Sequence, residues 1–267
     1  MKTIRIHLDA HAHIYPFYDM ERLLLAALDH MPRTAPTDLR AIALAERHDC
    51  HVFQALAQDE LRLPPARWKM VAWDPDGGVK VRHLPDHRDL WMLAGRQIVT
   101  AEKIEISALF TDDEIPDGRP ARDILRQILA TGGLPALNWA PGKWLGKRGR
   151  LIAALARETP PSDLLLVDTS LRFAGWPEPA LYRTARRQRR TLLAGSDPLP
   201  VPGEEKIAGS YYTTFSIPFL ADPSRIVAPL KAAFQSGKLS VALNGQRGSP
   251  PEILQRLRRN SQAKAQS

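Results

Sequence analysis

Short apolar runs alternate with amphipathic segments along most of the chain, and this alternation restricts the possible folds more than any other feature. The run LLLVDT (164–169) is too short for a helix, whereas DMERLLLAALDHM (19–31) has apolar residues at helical spacing behind an acidic first turn. Repeated strand, loop and helix predict an α/β fold with a largely parallel sheet, either closed into a barrel or open and doubly wound. The predicted strands are 4–10, 67–73, 79–83, 96–100, 104–110, 134–139, 164–169 and 191–195, and the predicted helices are 19–30, 37–59, 120–131, 148–158, 178–189, 223–236 and 251–259.

The segment 60–95 interrupts this alternation. Its part RWKMVAWDPDGGVKVRHL contains two strand-like runs on either side of DPDGG, which is typical of a β-hairpin turn. We expect an insertion on a barrel or an extra pair of edge strands. The 267 residues contain no sequence repeat and no linker-like tract, and their number suits one large α/β unit.

Composition excludes several classes of protein. Hydrophobic residues make up 44% of the chain and charged residues 25%, which are ordinary globular values. No window approaches the roughly 18 uninterrupted apolar residues of a membrane span, and the N-terminal segment becomes polar too early for a signal peptide. The single cysteine, Cys50, cannot form an internal disulfide. We therefore expect a folded cytoplasmic protein with no membrane partner.

The net charge of +8 is concentrated in three segments, 142–150, 182–190 and 254–267. Solvated helix faces and a frayed tail account for the last two. The first, GKWLGKRGR, is glycine-rich and follows a predicted strand, so it is a candidate for binding a phosphate or a carboxylate, although its glycines also suit a simple loop-to-helix turn.

The first strand ends on two histidines one residue apart. In IRIHLDAHAHIYP (4–16), His11 and His13 project to the same side of a strand, roughly 6.5 Å apart along it. Two imidazoles at this spacing can bind one ion, although packing histidines are the simpler alternative. Further ligands are then expected from the carboxyl ends of other strands.

Polar residues follow other predicted strands. Asn138, Asp168 and Asp197 stand where apolar runs end, and Glu105 lies within the run KIEISAL. Asp168 and Asp197 could also be N-caps of the helices that follow. Glu105 would be costly inside a strand unless its carboxylate meets a cation or a donor.

These segments together resemble the polymerase and histidinol phosphatase (PHP) family of metal-dependent hydrolases. The resemblance rests on D-x-H-x-H at the first strand, on AGRQIVTAEKIEISALF (94–110), on GGLPALNWAPGKW (132–144) and on LLAGSDPLP (192–200). It implies a distorted seven-stranded (β/α) barrel of the TIM type, carrying a multinuclear metal centre that typically hydrolyses phosphate esters. We therefore expect a PHP-like barrel domain over 1–250, with the hairpin inserted, and a basic C-terminal helix and tail over 251–267.

The chain departs from the family pattern at three positions. Gln97 stands where the resemblance implies a bridging glutamate, Asn138 where it implies the histidine of a His-Pro pair, and Leu199 where it implies the last histidine. A full trinuclear centre is not expected, because these residues lack the charge and donor strength of the ligands they replace.

A site for one divalent ion remains. His11, His13 and Asp197 could hold Zn²⁺, Mn²⁺ or Fe²⁺ with an open position for water. Asp168 or Glu105 could then act as general base, and Lys143, Lys147 and Arg148 could neutralise a substrate anion.

Two functions from different classes follow. The first is a metal-dependent hydrolase, a phosphoesterase acting on a small phosphorylated or otherwise anionic substrate. The second is a non-catalytic PHP-like domain, a pseudoenzyme that binds a ligand or a partner protein. Nucleic acid ranks last among the partners, because no recognition motif accompanies the basic segments. Composition and motifs leave the oligomeric state open.

Overall fold

The computed structural model describes residues 2–35, 37–58 and 63–266. Strands and helices alternate along the chain as the apolar pattern predicts, so the α/β class is confirmed. The strands in the described residues are β1 (Thr3–Ala12), β2 (Leu39–Leu44), β3 (Trp68–Asp74), β4 (Gly78–His83), β5 (Arg88–Leu93), β6 (Gly95–Val99), β7 (Glu105–Leu109), β8 (Leu134–Asn138), β9 (Leu165–Thr169), β10 (Leu192–Gly195), β11 (Tyr211–Pro218) and β12 (Ala242–Gly245).

Seven α-helices are formed by the described residues, together with one short 3-10 helix at Glu204–Ile207 between β10 and β11. Among the residues that the structure describes, no helix is both long and apolar enough to cross a lipid bilayer. The helices are α1 (Met20–His30), α2 (Val52–Ala57), α3 (Ala121–Ala130), α4 (Gly146–Glu158), α5 (Ala180–Arg187), α6 (Val227–Gln235) and α7 (Pro250–Gln266).

The strands form two mixed sheets. The larger has the order β12-β11-β1-β2-β5-β4-β3, and the smaller has the order β10-β9-β8-β7-β6. Parallel pairs join β1 to β2, β2 to β5, β8 to β9 and β9 to β10. The first strand therefore lies inside the larger sheet, between β11 and β2, and its carboxyl end lies on the same side as that of β10, with β8 and β9 parallel to β10.

The two sheets approach each other along both sides. On one side, Asp197 N–H, just beyond β10, donates to the carbonyl oxygen of His11 at 2.9 Å. On the other side, an isolated parallel bridge joins Glu46 to Arg96. No continuous ladder joins the sheets within the described ranges 2–35, 37–58 and 63–266, so the predicted closed seven-stranded barrel is not confirmed.

A buried apolar core fills the space between the sheets. It contains Ile6 and Leu8 of β1, Leu165 and Val167 of β9, and Phe215 of β11. The alternate residues of the smaller sheet pack against α3, α4 and α5 in a second cluster, which contains Ile106, Leu137 and Leu166. Because strand side chains alternate faces, these clusters decide which polar residues face the space between the sheets.

Two parts of the sequence prediction differ in outcome. The hairpin is confirmed: β3 and β4 pair antiparallel at the edge of the larger sheet, and Gly77 N–H donates to the carbonyl oxygen of Asp74 in the turn.

The helix predicted over 37–59 is wrong for its first half, which forms β2. The run RAIALA is buried on both faces, and a strand in that position carries no alternation to distinguish it from a helix. Residues 59 to 62, where the predicted helix ends and the predicted insertion begins, lie outside the described residues.

Candidate metal centre

His11 and His13 lie together at the carboxyl end of β1. The register of β1 against β2 shifts between Asp9 and Ala12, and after this irregularity both imidazoles face the space between the two sheets. Both side chains are buried, and their Nε2 atoms are 3.2 Å apart. The predicted convergence of the two rings is therefore seen in the structure.

Asp197 completes the cluster from the end of β10. Its Oδ1 atom lies 3.7 Å from Nε2 of His11 and 3.6 Å from Nε2 of His13. One ligand atom from each of the three residues lies within 4.8 Å of the others. A tetrahedral ion about 2.1 Å from each ligand would separate the ligands by about 3.4 Å, so the three side chains can hold a metal ion.

Burial sets the charges of these three groups. Desolvation lowers the pKa of His11 to about 4, and desolvation with the neighbouring His11 lowers the pKa of His13 to about 4. Desolvation also raises the pKa of Asp197 to about 6. At pH 7 the imidazoles are neutral and the carboxyl group is largely ionised, which are the protonation states that bind metal.

The second nitrogen of His11 has a partner in the sheet. Nδ1 of His11 lies 3.1 Å from the hydroxyl oxygen of Ser107, which also accepts a hydrogen bond from the side-chain amide of Asn138 at 2.8 Å. A hydroxyl oxygen has two lone pairs and can accept from both neighbours. If His11 donates from Nδ1, its Nε2 lone pair is directed at the cluster, as in metal-binding histidines.

Asp9 ties the two ligand-bearing segments together. Its fully buried carboxylate accepts hydrogen bonds from the backbone N–H of His11 at 3.2 Å, of Ser196 at 2.9 Å and of Gly209 at 2.8 Å. Burial nevertheless raises its pKa to about 6. Asp9 therefore connects β1 to the residue before Asp197.

A cavity of about 420 Å³ opens beside the cluster, and Glu105 and Lys143 lie in its wall. Glu105 is on the same face of β7 as Ser107, and its carboxylate forms an ion pair with Lys143. The Glu105 charge acts on His11 and raises its pKa against the effect of burial. Glu105 and Lys143 are thus brought to the cluster, as the sequence predicts.

The residues at the three departures from the PHP pattern also surround the cluster. Gln97 and Leu199 line the cavity, and the Gln97 side chain raises the pKa of His11 against the effect of burial. Asn138 is connected to His11 by the Ser107 hydroxyl, which lies between the two side chains. The side-chain oxygen Oδ1 of Asn138 is buried without a hydrogen-bond partner.

The structure does not bring Asp168 to the cluster. Asp168 is fully buried and accepts hydrogen bonds from Nε of Arg172 at 2.7 Å and from the hydroxyl of Tyr211 at 2.9 Å. It shares a face of β9 with Leu166, whereas Leu165 and Val167 face the space between the sheets. Asp168 is therefore part of a buried ion pair on the opposite face of the strand.

Lys147 and Arg148 are also outside the cavity wall. Both lie in the first turn of α4, where Lys147 is exposed and Arg148 donates to the carbonyl oxygen of Gly142 at 3.2 Å. Of the three basic residues predicted to meet an anion, Lys143 is the one that lines the cavity.

Sequence reasoning missed several residues of the cavity wall. Arg47 lies beyond β2, within the range predicted as a helix, and Asn260 and Lys264 belong to α7, within the predicted basic C-terminal helix and tail. A polar residue just after a buried apolar run is the signal that could have identified Arg47. For the residues of α7, the sequence offers no such signal.

Similarity to known proteins is found in the three-dimensional structure. No family model matches the chain, and no curated protein matches it. The crystal structure of PsfC from Pseudomonas syringae PB-5123 is similar, with a TM-score of 0.58 and 14% identity over 98% of this chain and 99% of that chain. The lesion-specific endonuclease PfuEndoQ from Pyrococcus furiosus is similar over 90% of this chain and 59% of that chain, with a TM-score of 0.51 and 10% identity.

Endonuclease Q in complex with a 27-mer duplex substrate, with an abasic lesion at the active site, matches with a TM-score of 0.48 and 9% identity over 90% of this chain and 58% of that chain. The chain thus spans somewhat more than half the length of the endonucleases. The partner prediction made from the sequence placed a small anionic substrate first and nucleic acid last. It is contradicted by the fold that the chain shares with PfuEndoQ, a lesion-specific endonuclease.

Proposed function

We propose that the protein is a metal-dependent hydrolase that cleaves phosphodiester bonds in nucleic acid, and that it is a divergent PHP-like protein with a reduced metal centre. The observation that carries the proposal is the convergence of His11, His13 and Asp197 on one point beside an open cavity. The fold shared with an endonuclease supports the same class of reaction.

In this proposal His11, His13 and Asp197 hold a single divalent ion, either Zn²⁺, Mn²⁺ or Fe²⁺. Two imidazole nitrogens and one carboxylate oxygen suit each of these ions. When bound, the ion supplies Lewis-acid chemistry and an acidified water molecule. Gln97, Asn138 and Leu199 offer neither the imidazoles nor the carboxylate that further ions would need.

Glu105 is the proposed general base, and Lys143 is the proposed phosphate-binding residue. In the free protein the two side chains neutralise each other at the cavity wall. A phosphate group that enters the cavity competes with Glu105 for the Lys143 ammonium group, which frees the carboxylate to accept a proton from water. Lys143 then stabilises negative charge on the phosphoryl oxygens.

The charge of the chain as a whole favours a polyanionic substrate. In the cavity wall Arg47, Lys143 and Lys264 are balanced by Glu105, Asp117 and Asp197, whereas the whole chain has a net charge of +8. Neutralised phosphates are the main source of protein affinity for nucleic acid. A strand of DNA or RNA fits this overall positive charge, with Arg47 and Lys143 in the cavity wall as candidate phosphate contacts.

A non-catalytic, ligand-binding domain is the second candidate. The residues at Gln97, Asn138 and Leu199 favour it, because they remove the ligands of a multinuclear centre. The ion pair between Glu105 and Lys143 also favours the non-catalytic domain, because Lys143 neutralises the charge of the proposed base.

The test is a cleavage assay with metal-loaded protein. We expect the protein, loaded with one equivalent of Zn²⁺ or Mn²⁺, to cleave end-labelled DNA in single-stranded, duplex or abasic-duplex form. His13→Ala should lose both metal and cleavage, whereas Glu105→Gln should keep the metal and lose cleavage. Stoichiometric metal without cleavage of any DNA or RNA would favour the non-catalytic domain. Absence of bound metal in the wild-type protein would overturn the hydrolase proposal.

A further inference from the structure

The C-terminal helix α7 is anchored to the loop that carries Asp197. The guanidinium group of Arg256 is largely buried against Glu204 in the 3-10 helix, with an Nη2–Oε2 distance of 2.8 Å and an Nε–Oε2 distance of 3.0 Å. The same Glu204 oxygen accepts a hydrogen bond from Leu199 N–H at 3.2 Å. This ion pair joins α7 to the segment between β10 and β11.

Arg256 also reaches the metal-ligand residue itself. Its Nη2 donates to the carbonyl oxygen of Asp197 at 3.0 Å, and its Nη1 donates to the hydroxyl oxygen of Ser170 at 3.0 Å. The Ser170 hydroxyl in turn donates to the carbonyl oxygen of Ser196 at 2.5 Å. The guanidinium group therefore holds the Asp197 carbonyl directly and the Ser196 carbonyl through Ser170.

The backbone of Asp197 has an uncommon conformation that these hydrogen bonds hold in place. Its φ angle is 50°, in the left-handed region that is sparsely populated outside glycine, asparagine and aspartate. The N–H of Asp197 is held by the carbonyl oxygen of His11, and its carbonyl group is held by Arg256. Both polar groups of this strained residue are thus fixed, one by β1 and the other by α7.

We propose that Arg256 is a positioning residue for the metal centre and that α7, which carries Arg256, forms part of the active site. Arg256 holds the Asp197 backbone in the conformation that places its carboxylate between His11 and His13. The helix also forms part of the cavity wall through Leu257 and Asn260. This inference rests on the proposed function, because it assigns a role toward the metal that the proposed function requires.

The test compares variants of Arg256 in the full-length protein with Arg258→Ala, an exposed arginine on the same helix. The dissociation constant for Zn²⁺ is measured by competition with a chromogenic chelator, at a temperature where circular dichroism shows each metal-free protein to be folded. Arg256→Ala should raise the constant about 10- to 100-fold, the usual range for residues that orient a ligand. Arg256→Lys should give a smaller rise, and Arg258→Ala should give none.

The absorption spectrum of bound Co²⁺ supplies a readout that a general loss of stability would not move. Arg256→Ala should change the visible bands, because the carboxylate ligand is displaced, whereas Arg258→Ala should leave them unchanged. If Arg256→Ala does not fold, Arg256→Lys and Glu204→Gln carry the same test, and each should weaken Zn²⁺ binding.

The outcomes separate the two proposals. Tight Zn²⁺ binding by the wild-type protein, with the same constant and the same Co²⁺ spectrum in the Arg256 variants, would overturn the positioning role and leave the proposed function standing. Absence of metal binding by the wild-type protein would overturn both.

Discussion

At the scale of single residues, the carboxylates of the partly exposed Glu105 and the buried Asp168 differ in what surrounds them. The Asp168 carboxylate accepts hydrogen bonds from the guanidinium group of Arg172 and the hydroxyl of Tyr211. Its oxygens are therefore already engaged inside the protein and do not face a substrate. Glu105 is matched by Lys143 at a cavity wall, where an incoming anion can displace it. The partner of a carboxylate, and not its position after a strand, decides whether it can act as a base.

Asp168→Asn should therefore destabilise the protein without changing its metal affinity. Neutralising one member of a buried ion pair leaves Arg172 with an unmatched charge, which costs about 3 to 5 kcal/mol. Urea unfolding and a Zn²⁺ titration measure the two effects. The exposed pair of Arg122 and Glu158 is the control, because Glu158→Gln should change stability very little. A folded Asp168→Asn protein that binds metal but cannot cleave would restore Asp168 as the base.

Glu46 should make stability depend on pH. It is buried where the two sheets meet, and burial raises its pKa from 4.5 to about 7. The folded protein then binds the Glu46 proton more tightly than the unfolded chain, so this contribution is present below pH 4.5 and is lost as the pH rises to about 7. Relative to Glu46→Gln, the unfolding free energy of the wild type should fall by about 1.4 kcal/mol per pH unit at most across this window. If the unfolding free energies of the wild type and Glu46→Gln change with pH in the same way, Glu46 is not the source of the pH dependence.

At the scale of elements, the metal centre depends on how closely β1 and β10 approach each other. A Cβ atom at Gly195 would lie 2.5 Å from Cβ of His11 and 2.7 Å from its backbone nitrogen. Atoms at these distances overlap, so only glycine permits Asp197 to reach the histidines. The glycine of LLAGSDPLP is thus a packing requirement of the site.

Gly195→Ala should weaken metal binding and destabilise the protein together. Overpacking of this kind typically costs about 1 to 3 kcal/mol, and the strands can relieve it only by moving His11 away from Asp197. Thermal unfolding of the metal-free protein and a Zn²⁺ titration measure the two losses. Wild-type metal affinity in this variant would show that the distance between β1 and β10 is not critical.

At the scale of the whole molecule, the net charge of +8 should govern association with nucleic acid. The dissociation constant for single-stranded DNA should rise steeply between 50 and 200 mM salt, because each neutralised phosphate releases counterions. Arg47→Ala should weaken binding to all sequences and lower the salt slope by about 1. Fluorescence anisotropy of labelled DNA measures both effects.

Lys69→Ala is the matched control for this measurement. Lys69 is exposed on the edge strand β3 and does not line the cavity. Its removal should leave the salt slope unchanged. If Arg47→Ala and Lys69→Ala change the salt slope equally, the positive charge contributes to DNA binding wherever it lies on the surface, and the cavity is not the binding site.

The order of most elements could be predicted from the sequence because helical and strand periodicities are local. The strands β1, β7, β8, β9 and β10 lie close to their predicted ranges, and the histidine pair at the end of β1 was predicted to converge. Strand β11, in contrast, begins inside a stretch rich in turn-forming residues, which resembles a loop when it is read locally. It is a strand because β1 and β12 supply its hydrogen-bond partners.

By itself, the sequence determined the α/β class, the edge hairpin and the identity of the three residues that can bind a metal. Tertiary structure alone decided that Asp168 faces away from them, that the sheets meet without a continuous ladder and that Arg256 supports Asp197. The physical reason is that spacing along the chain defines a local repeat. The face on which a side chain lies, and the distant partner it meets, depend on strand register and on packing between elements far apart in sequence.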